Sequence, residues 1–211
     1  YFDVSKPIKN TIHDYHPYKG SYNIKEIIVN SSNIGSAKIA EIIGKKNQQE
    51  FFEKIGFTKK IDIQLLEAAK PMGNRHNWGP IETMTIGYGH GYAITPLHLI
   101  TAYSIIANKG KKIKPKVFLE EKNLIYKEQV IKPETSNYIL SLLRAVVTDT
   151  KFTGSQIKIE GYEIGGKTGT AELNKNGNYL KNANLTSFLG LFPISNPKYA
   201  VLAIIENPKK K

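Results

Sequence analysis

A mixed α/β layer architecture is what this 211-residue sequence predicts, on two observations. Apolar residues recur at helical spacing through the first two thirds, and the last third switches to β-rich runs separated by Asn, Gly and Pro turns. Short links between those runs favour an antiparallel meander, because parallel strands need a long crossover. The length and a 40% hydrophobic share fit one domain or part of one, with no internal repeat and low complexity confined to Lys209, Lys210 and Lys211.

The elements follow in order. Residues 1–22, with Pro7, Pro17 and Gly20, read as loops with room for a short strand. Ile24, Ile27 and Ile28 mark a first helix, and Ile34, Ala37, Ile39, Ala40 and Ile43 a second, so Ser31-Ser32-Asn33 is the turn between them. Gln48 to Ile55 predicts another short helix stopped by Gly56. Residues 71–95, rich in Gly, Pro, Asn and aromatics, predict a long irregular segment. Thr95 as N-cap and Pro96 in the first helical position open a helix that stops at Gly110. Pro115 to Leu119 and Tyr126 to Ile131 predict short strands, and Pro133 opens a helix to about Thr148. Tyr162 to Glu172, Leu185 to Phe192 and Tyr199 to Glu206 are the predicted meander.

Thirty cationic against 18 acidic side chains give a net charge of +12, and all the cations except Arg75 and Arg144 are lysines. Base-specific nucleic-acid readers rely on the bidentate fork of arginine, so a lysine surplus argues against sequence-specific nucleic-acid binding and allows at most general attraction to polyanions. Cysteine is absent, which excludes a disulfide framework and a thiolate metal site. The longest apolar stretch, Leu97 to Ala107, is broken by His98, Thr101 and Ser104 and is too short for a membrane span. The sequence opens on Tyr1 and carries no signal pattern, which suggests a numbering that starts inside a longer protein.

Gly165-Gly166-Lys167-Thr168-Gly169-Thr170-Ala171-Glu172 carries the strongest chemical signal. On a strand, two glycines admit close approach of another backbone or a ligand, Lys167 supplies a positive charge, and Thr168 and Thr170 present hydroxyls to one face. Such an edge suits a carboxylate. Ser31 and Asn33 offer a hydroxyl and a carboxamide upstream, although capping of the adjoining helices would use the same residue types. His13-Asp14-x-His16 has metal-ligating residue types but no partner cluster, so no metal or cofactor is expected. His90, between two glycines, suits either the lining of a cleft or a backbone turn, and Tyr88 and Tyr92 read as packing aromatics.

The order Ser31-Ser32-Asn33, Trp78-Gly79-Pro80, Gly89-His90-Gly91 with Thr95-Pro96-Leu97, Ala107-Asn108-Lys109-Gly110, Gly166-Lys167-Thr168-Gly169-Thr170 and Ser187 to Pro193 resembles the transpeptidase domain of class B penicillin-binding proteins across nearly the whole chain. Within that class it is most similar to the FtsI-type cell-division enzymes, the elongation-type enzymes being the alternative. The resemblance implies a penicillin-binding-protein/β-lactamase-like fold, an antiparallel sheet flanked by helices, and peptidoglycan D,D-transpeptidase chemistry through an acyl-serine. It implies that Ser31 relays a proton to the leaving group, Asn33 holds the substrate backbone, and Lys167 raises the local potential. Thr168, Gly169 and Thr170 would bind the terminal carboxylate, with the Thr170 N–H as one oxyanion donor.

The family nucleophile belongs to an S-x-x-K motif ahead of Ser31, and residues 1–30 contain none. Ser155 to Lys158 and Ser195 to Lys198 match by spacing, but both are read as chance, the second because it sits in a turn between strands. The expectation is therefore a partial domain over residues 1–211, without the nucleophile segment, C-terminal helix, pedestal or membrane anchor, and inactive in isolation. Stem peptides and β-lactams are the expected ligands. Division proteins are the expected partners of a parent held in the bacterial inner membrane, with this domain outside the cytoplasm. A non-catalytic interaction fragment and a basic polyanion-binding module remain as other readings.

Overall fold

A computed structural model of the chain describes every residue except 10, 64, 66, 74–77, 119–127, 150–155, 176–177 and 210–211, and only the backbone of 174, 175, 178, 179, 181 and 182. A two-stranded pair, β1 (Phe2–Asp3) and β2 (Ser21–Tyr22), brackets the N-terminal loop and leads into α1 (Ile24–Asn30). Asn23 caps α1 by accepting from the Glu26 N–H at 2.9 Å, while the Glu26 carboxylate accepts from the Asn23 N–H at 2.8 Å. α1 ends at Ser31 in the left-handed region, φ 53°. Ser32 caps α2 (Asn33–Ile55), its hydroxyl accepting from the Gly35 N–H at 2.9 Å.

The two helices predicted over this stretch run together as α2, broken by Gly44 at φ 77° and ψ 158°. Only glycine takes that conformation cheaply, so the helix kinks there and resumes. Its second half meets Trp78 and α3 (Pro80–Ile86): Gln48 accepts from the Trp78 indole at 3.1 Å and donates to the Thr83 carbonyl at 3.2 Å. Phe52, Trp78 and Tyr92 pack edge-on or tilted within 5.8 Å, which makes Tyr92 a packing aromatic.

The segment predicted as irregular over 71–95 holds α3 and a hairpin of β3 (Met72–Gly73) with β4 (Tyr92–Ala93). Pro80 in the first helical position and Glu82 accepting from the Gly79 N–H start α3, a local signal outweighed by the glycines around it. α4 (Pro96–Ala107) forms as expected, with Thr95 capping the His98 N–H. The strand expected at Pro115 to Leu119 does not form through Phe118, and Leu119 lies outside the described residues. Pairing occurs earlier, between β5 (Lys111–Lys112) and β6 (Glu128–Gln129), because Gly110 at φ 80° turns the chain out of α4 at once. Of the strand expected over 126–131 only β6 forms, and residues 126 and 127 are not described.

α5 (Pro133–Thr148) buries Leu142, Leu143, Val146 and Val147 and packs against both α1 and the main sheet. That sheet is the antiparallel meander β7 (Gly165–Lys175), β8 (Asn178–Phe192) and β9 (Tyr199–Glu206), in the order β7-β8-β9. β7 starts three residues later than expected because Glu160 and Gly161 still form a turn, and β8 starts earlier because the hairpin continues beyond the bulge after Glu172. Leu189 and Leu191 on β8 pack with Leu143, Ile194, Leu99, Tyr103, Ala200 and Leu202 to form the core between sheet and helices. A second core joins Val4, Ile12, Ile34, Ala37 and Met84 around the start of α2.

Gly166 holds β7 and β8 at this spacing, since a Cβ there would lie 2.4 Å from the Leu189 carbonyl oxygen. Gly166→Ala is expected to destabilise the fold by about 1–3 kcal/mol. Thermal unfolding would show a Tm lower by ~2–4 °C per kcal/mol.

Candidate active site

The turn Ser31-Ser32-Asn33 is held from a distance by the loop at residues 13 and 14. The Ser32 hydroxyl, only 2% exposed, donates to Asp14 Oδ2 at 2.8 Å, and the Ile34 N–H donates to Asp14 Oδ1 at 2.9 Å. The Asn33 carboxamide donates to the His13 carbonyl at 2.9 Å. One carboxylate thus satisfies a buried hydroxyl and an otherwise orphaned N–H of the first turn of α2. With Ser32 turned inward, Ser31 is left exposed at the surface in its left-handed conformation. Asp14, weighed in the sequence only as part of a metal-ligand pattern, is a positioning residue whose role sequence reasoning missed, because nothing within its own segment announces a bond to residues 18 and 20 positions away.

Lys167 comes to this turn from the other end of the chain. Cross-strand partners share a sheet face, and the register sets Lys167 opposite Leu189, which is itself opposite Leu202. Both leucines belong to the helix-covered core, so Lys167 projects from the covered face. Burial there lowers its pKa to about 8 from 10.5. Its ammonium donates to the Ser31 hydroxyl, 136 residues away in sequence, and to the Thr168 carbonyl at 3.2 Å.

Two supports set this meeting point. α5 lies against both α1, which ends at Ser31, and β7, which carries Lys167. Arg144 on α5 donates to the Ile164 carbonyl at 2.7 Å, just ahead of β7, and a Cβ on Gly165 would lie 2.5 Å from Ile194. The close approach that the glycines allow is therefore filled by protein: Ile194 at Gly165 and the β8 backbone at Gly166.

Among the sequence-derived candidates, Ser31 and Lys167 touch, while the Asn33 amide is engaged by His13. Thr168 and Thr170 do share a face, opposite Phe188 and Thr186, but it is the face away from Lys167. Because β7 is the edge of the described sheet, its backbone rim lies between the two faces, and groups from both can reach one ligand along it. Gly169 lies on that rim, where a Cβ would meet the Ser187 hydroxyl at 2.8 Å.

Ser195 lies in the turn after β8 and donates to Glu163 at 2.5 Å, away from any helix that could stack Lys198 over it, and Ser155 lies outside the described residues. His90 is exposed between Gly89 at φ 93° and Gly91 at φ 82°, with its N–H donating to the Thr85 carbonyl, which is a turn position. The described residues contain no group of three metal-ligating side chains, and none of their helices is long and apolar enough to cross a membrane.

Residues 2–211 match the family of the penicillin binding protein transpeptidase domain. The chain is 33% identical over 225 residues to the probable peptidoglycan D,D-transpeptidase FtsI of Caulobacter vibrioides, covering 99% of this chain and 37% of that protein. To stage V sporulation protein D of Bacillus subtilis it is 34% identical over 196 residues, covering 87% of this chain and 30% of that one. Among solved structures, the TP domain of Burkholderia pseudomallei penicillin-binding protein 3 superposes with a TM-score of 0.88 at 26% identity, covering 98% of this chain and 63% of that one. The chain spans about a third of the length of these curated relatives.

Asp14→Ala leaves the Ser32 hydroxyl and the Ile34 N–H without their acceptor, so urea unfolding is expected to show a loss of about 1–3 kcal/mol, with a smaller loss for Asp14→Asn. For Lys167, whose folded pKa lies below its unfolded value, the unfolded chain binds the extra proton between about pH 8 and 10.5. Its contribution to stability is fully present above 10.5 and is lost as pH falls through about 8. Unfolding free energy relative to Lys167→Met should therefore rise with pH across that window.

Proposed function

The chain belongs to the transpeptidase domain family of class B penicillin-binding proteins, and from that premise we propose that it forms the leaving-group and carboxylate-binding side of a peptidoglycan D,D-transpeptidase. The observation that supports this most is the bond between the Lys167 ammonium and the Ser31 hydroxyl. Because Lys167 donates to the Ser31 oxygen, the Ser31 hydrogen is free to point at an incoming substrate nitrogen. An ammonium whose pKa lies near 8 is also a readier acid than an ordinary lysine, so the pair forms a two-step proton wire.

In the proposed reaction an acyl-accepting serine attacks the penultimate D-Ala carbonyl of a stem peptide. As the acyl C–N bond breaks, the departing D-Ala nitrogen takes the Ser31 proton; Lys167 replenishes it and regains its own proton from the amine that later resolves the acyl-enzyme. Asn33 binds the substrate backbone through the carboxamide that the His13 carbonyl orients. Thr168, Gly169 and Thr170, along the rim of β7, receive the terminal carboxylate, and the Thr170 N–H helps hold the oxyanion. An amine from a second stem peptide then resolves the acyl-enzyme into a cross-link.

No S-x-x-K stands before Ser31 in these residues, so these residues taken alone are expected to remain unacylated. A septal role, division partners and a membrane-held parent with this domain outside the cytoplasm belong to the same proposal. The comparable identity to a sporulation protein keeps a role in sporulation as the second reading.

Labelling with fluorescent penicillin tests the assignment. A protein that joins this chain to an S-x-x-K segment is expected to acylate, and Ser31→Ala to slow acylation by about 10²–10⁴-fold while the variant still unfolds in one cooperative thermal transition. Unchanged acylation in that variant would remove Ser31 from the proton path. A covalent penicilloyl mass on the 211-residue chain alone would place the nucleophile within it.

A further inference from the structure

α5 serves both halves of the candidate site, lying against α1, which ends at Ser31, and against β7, which carries Lys167. The core that joins α5 to the sheet is apolar, with Leu143 packed among Leu189, Leu191 and Ile194. Apolar burial has no preferred direction, so it sets the spacing of the layers and leaves a strand able to tilt or slide along a helix. A hydrogen bond removes that freedom, because its length and its angle are both narrow.

Arg144 makes such a bond. From α5 its guanidinium donates to the Ile164 carbonyl at 2.7 Å, one residue ahead of the first ladder pair, Gly165 with Leu191. The neighbouring Glu163 carbonyl accepts from the Ile194 N–H at 2.7 Å. Gly165 lies between the two partners, since a Cβ there would stand 2.5 Å from Ile194 and 3.1 Å from the Arg144 backbone nitrogen. The entry of β7 is thus held by α5 on one side and by the turn after β8 on the other. Lys167 follows Ile164 by three residues, about 10 Å of extended chain, so the angle fixed at the entry decides where its ammonium arrives. A guanidinium stays charged throughout the range in which a lysine titrates, so this clasp holds in both protonation states of Lys167.

We propose that Arg144 is a positioning residue for the acyl-transfer step: by holding the Ile164 carbonyl it aims β7 so that Lys167 meets Ser31. The inference rests on the transpeptidase reading above and adds a residue that acts only through Lys167. A misplacement of about 1 Å at a reacting group costs on the order of 10²-fold in rate. Binding of a carboxylate along the rim draws on several hydroxyl and N–H donors and tolerates such a shift. Loss of the Arg144 bond therefore slows the chemical step and spares binding.

Acylation by fluorescent penicillin, measured over a range of concentrations on the protein that joins this chain to an S-x-x-K segment, tests it. Arg144→Met is expected to slow the acylation step about 10- to 100-fold and to leave the half-saturating concentration within about threefold. Arg144→Lys, which keeps a cationic donor, should restore the rate to within about threefold of the unsubstituted protein. Added to Ser31→Ala, Arg144→Met should cost no more than about twofold further, because the contact it positions is already gone. Phe52→Leu, a core change beside Trp78 and Tyr92, controls for lost stability and should lower the Tm while leaving acylation within about twofold. If Arg144→Met does not unfold cooperatively, Arg144→Gln is read by the same criteria. With Ser31→Ala slow, full-rate acylation in Arg144→Met, losses that multiply in the double variant, or an equal loss in Phe52→Leu would each overturn the proposal. Unchanged acylation in Ser31→Ala would instead overturn the reading on which it rests.

Discussion

The bond from Lys167 to Ser31 is the contact on which the candidate site depends, and the core creates it. Lys167 emerges from the face of β7 that the helices cover, because its cross-strand neighbours Leu189 and Leu202 are core residues. An ammonium in that position loses water on most sides and must find acceptors at the sheet edge. The Ser31 hydroxyl and the Thr168 carbonyl supply them. The same burial that makes the lysine seek a partner makes its proton easier to give up. Structure and chemistry therefore have a common cause in the packing of α5 under β7.

The other half of the contact is a turn with little freedom. Ser31 takes the left-handed conformation, which costs a non-glycine residue about 1 kcal/mol or more, and Asp14, Ser32 and the His13 carbonyl hold it there. Ser32 both caps α2 and bonds Asp14, so a single hydroxyl links helix start and loop. Two serines in succession divide the work: the buried one anchors the turn, and the exposed one meets the lysine.

At the rim of β7 the alternation of strand side chains separates Lys167 from Thr168 and Thr170. A central strand would keep such groups on opposite sides of a packed sheet. An edge strand exposes its backbone between them, so a carboxylate lying along the rim can meet hydroxyls from one face and the field of a lysine from the other.

Periodicity alone determined much of this protein. The helices opened by Asn23, Ser32, Thr95 and Pro133 and the meander ending in Tyr199–Glu206 were legible because capping residues and alternation act within a few positions. Motif order marked Ser31, Asn33 and Lys167 to Thr170 as one set and pointed to the transpeptidase family, to which the chain belongs. Only the tertiary structure decided that Gly44 would join two helices, that Pro115 would not enter a strand, and that Asp14 would hold the turn at Ser32. It also decided which face of β7 Lys167 would use. Each of those outcomes rests on contacts between residues far apart in the chain, and local spacing carries no record of which partner the packed core will bring within reach.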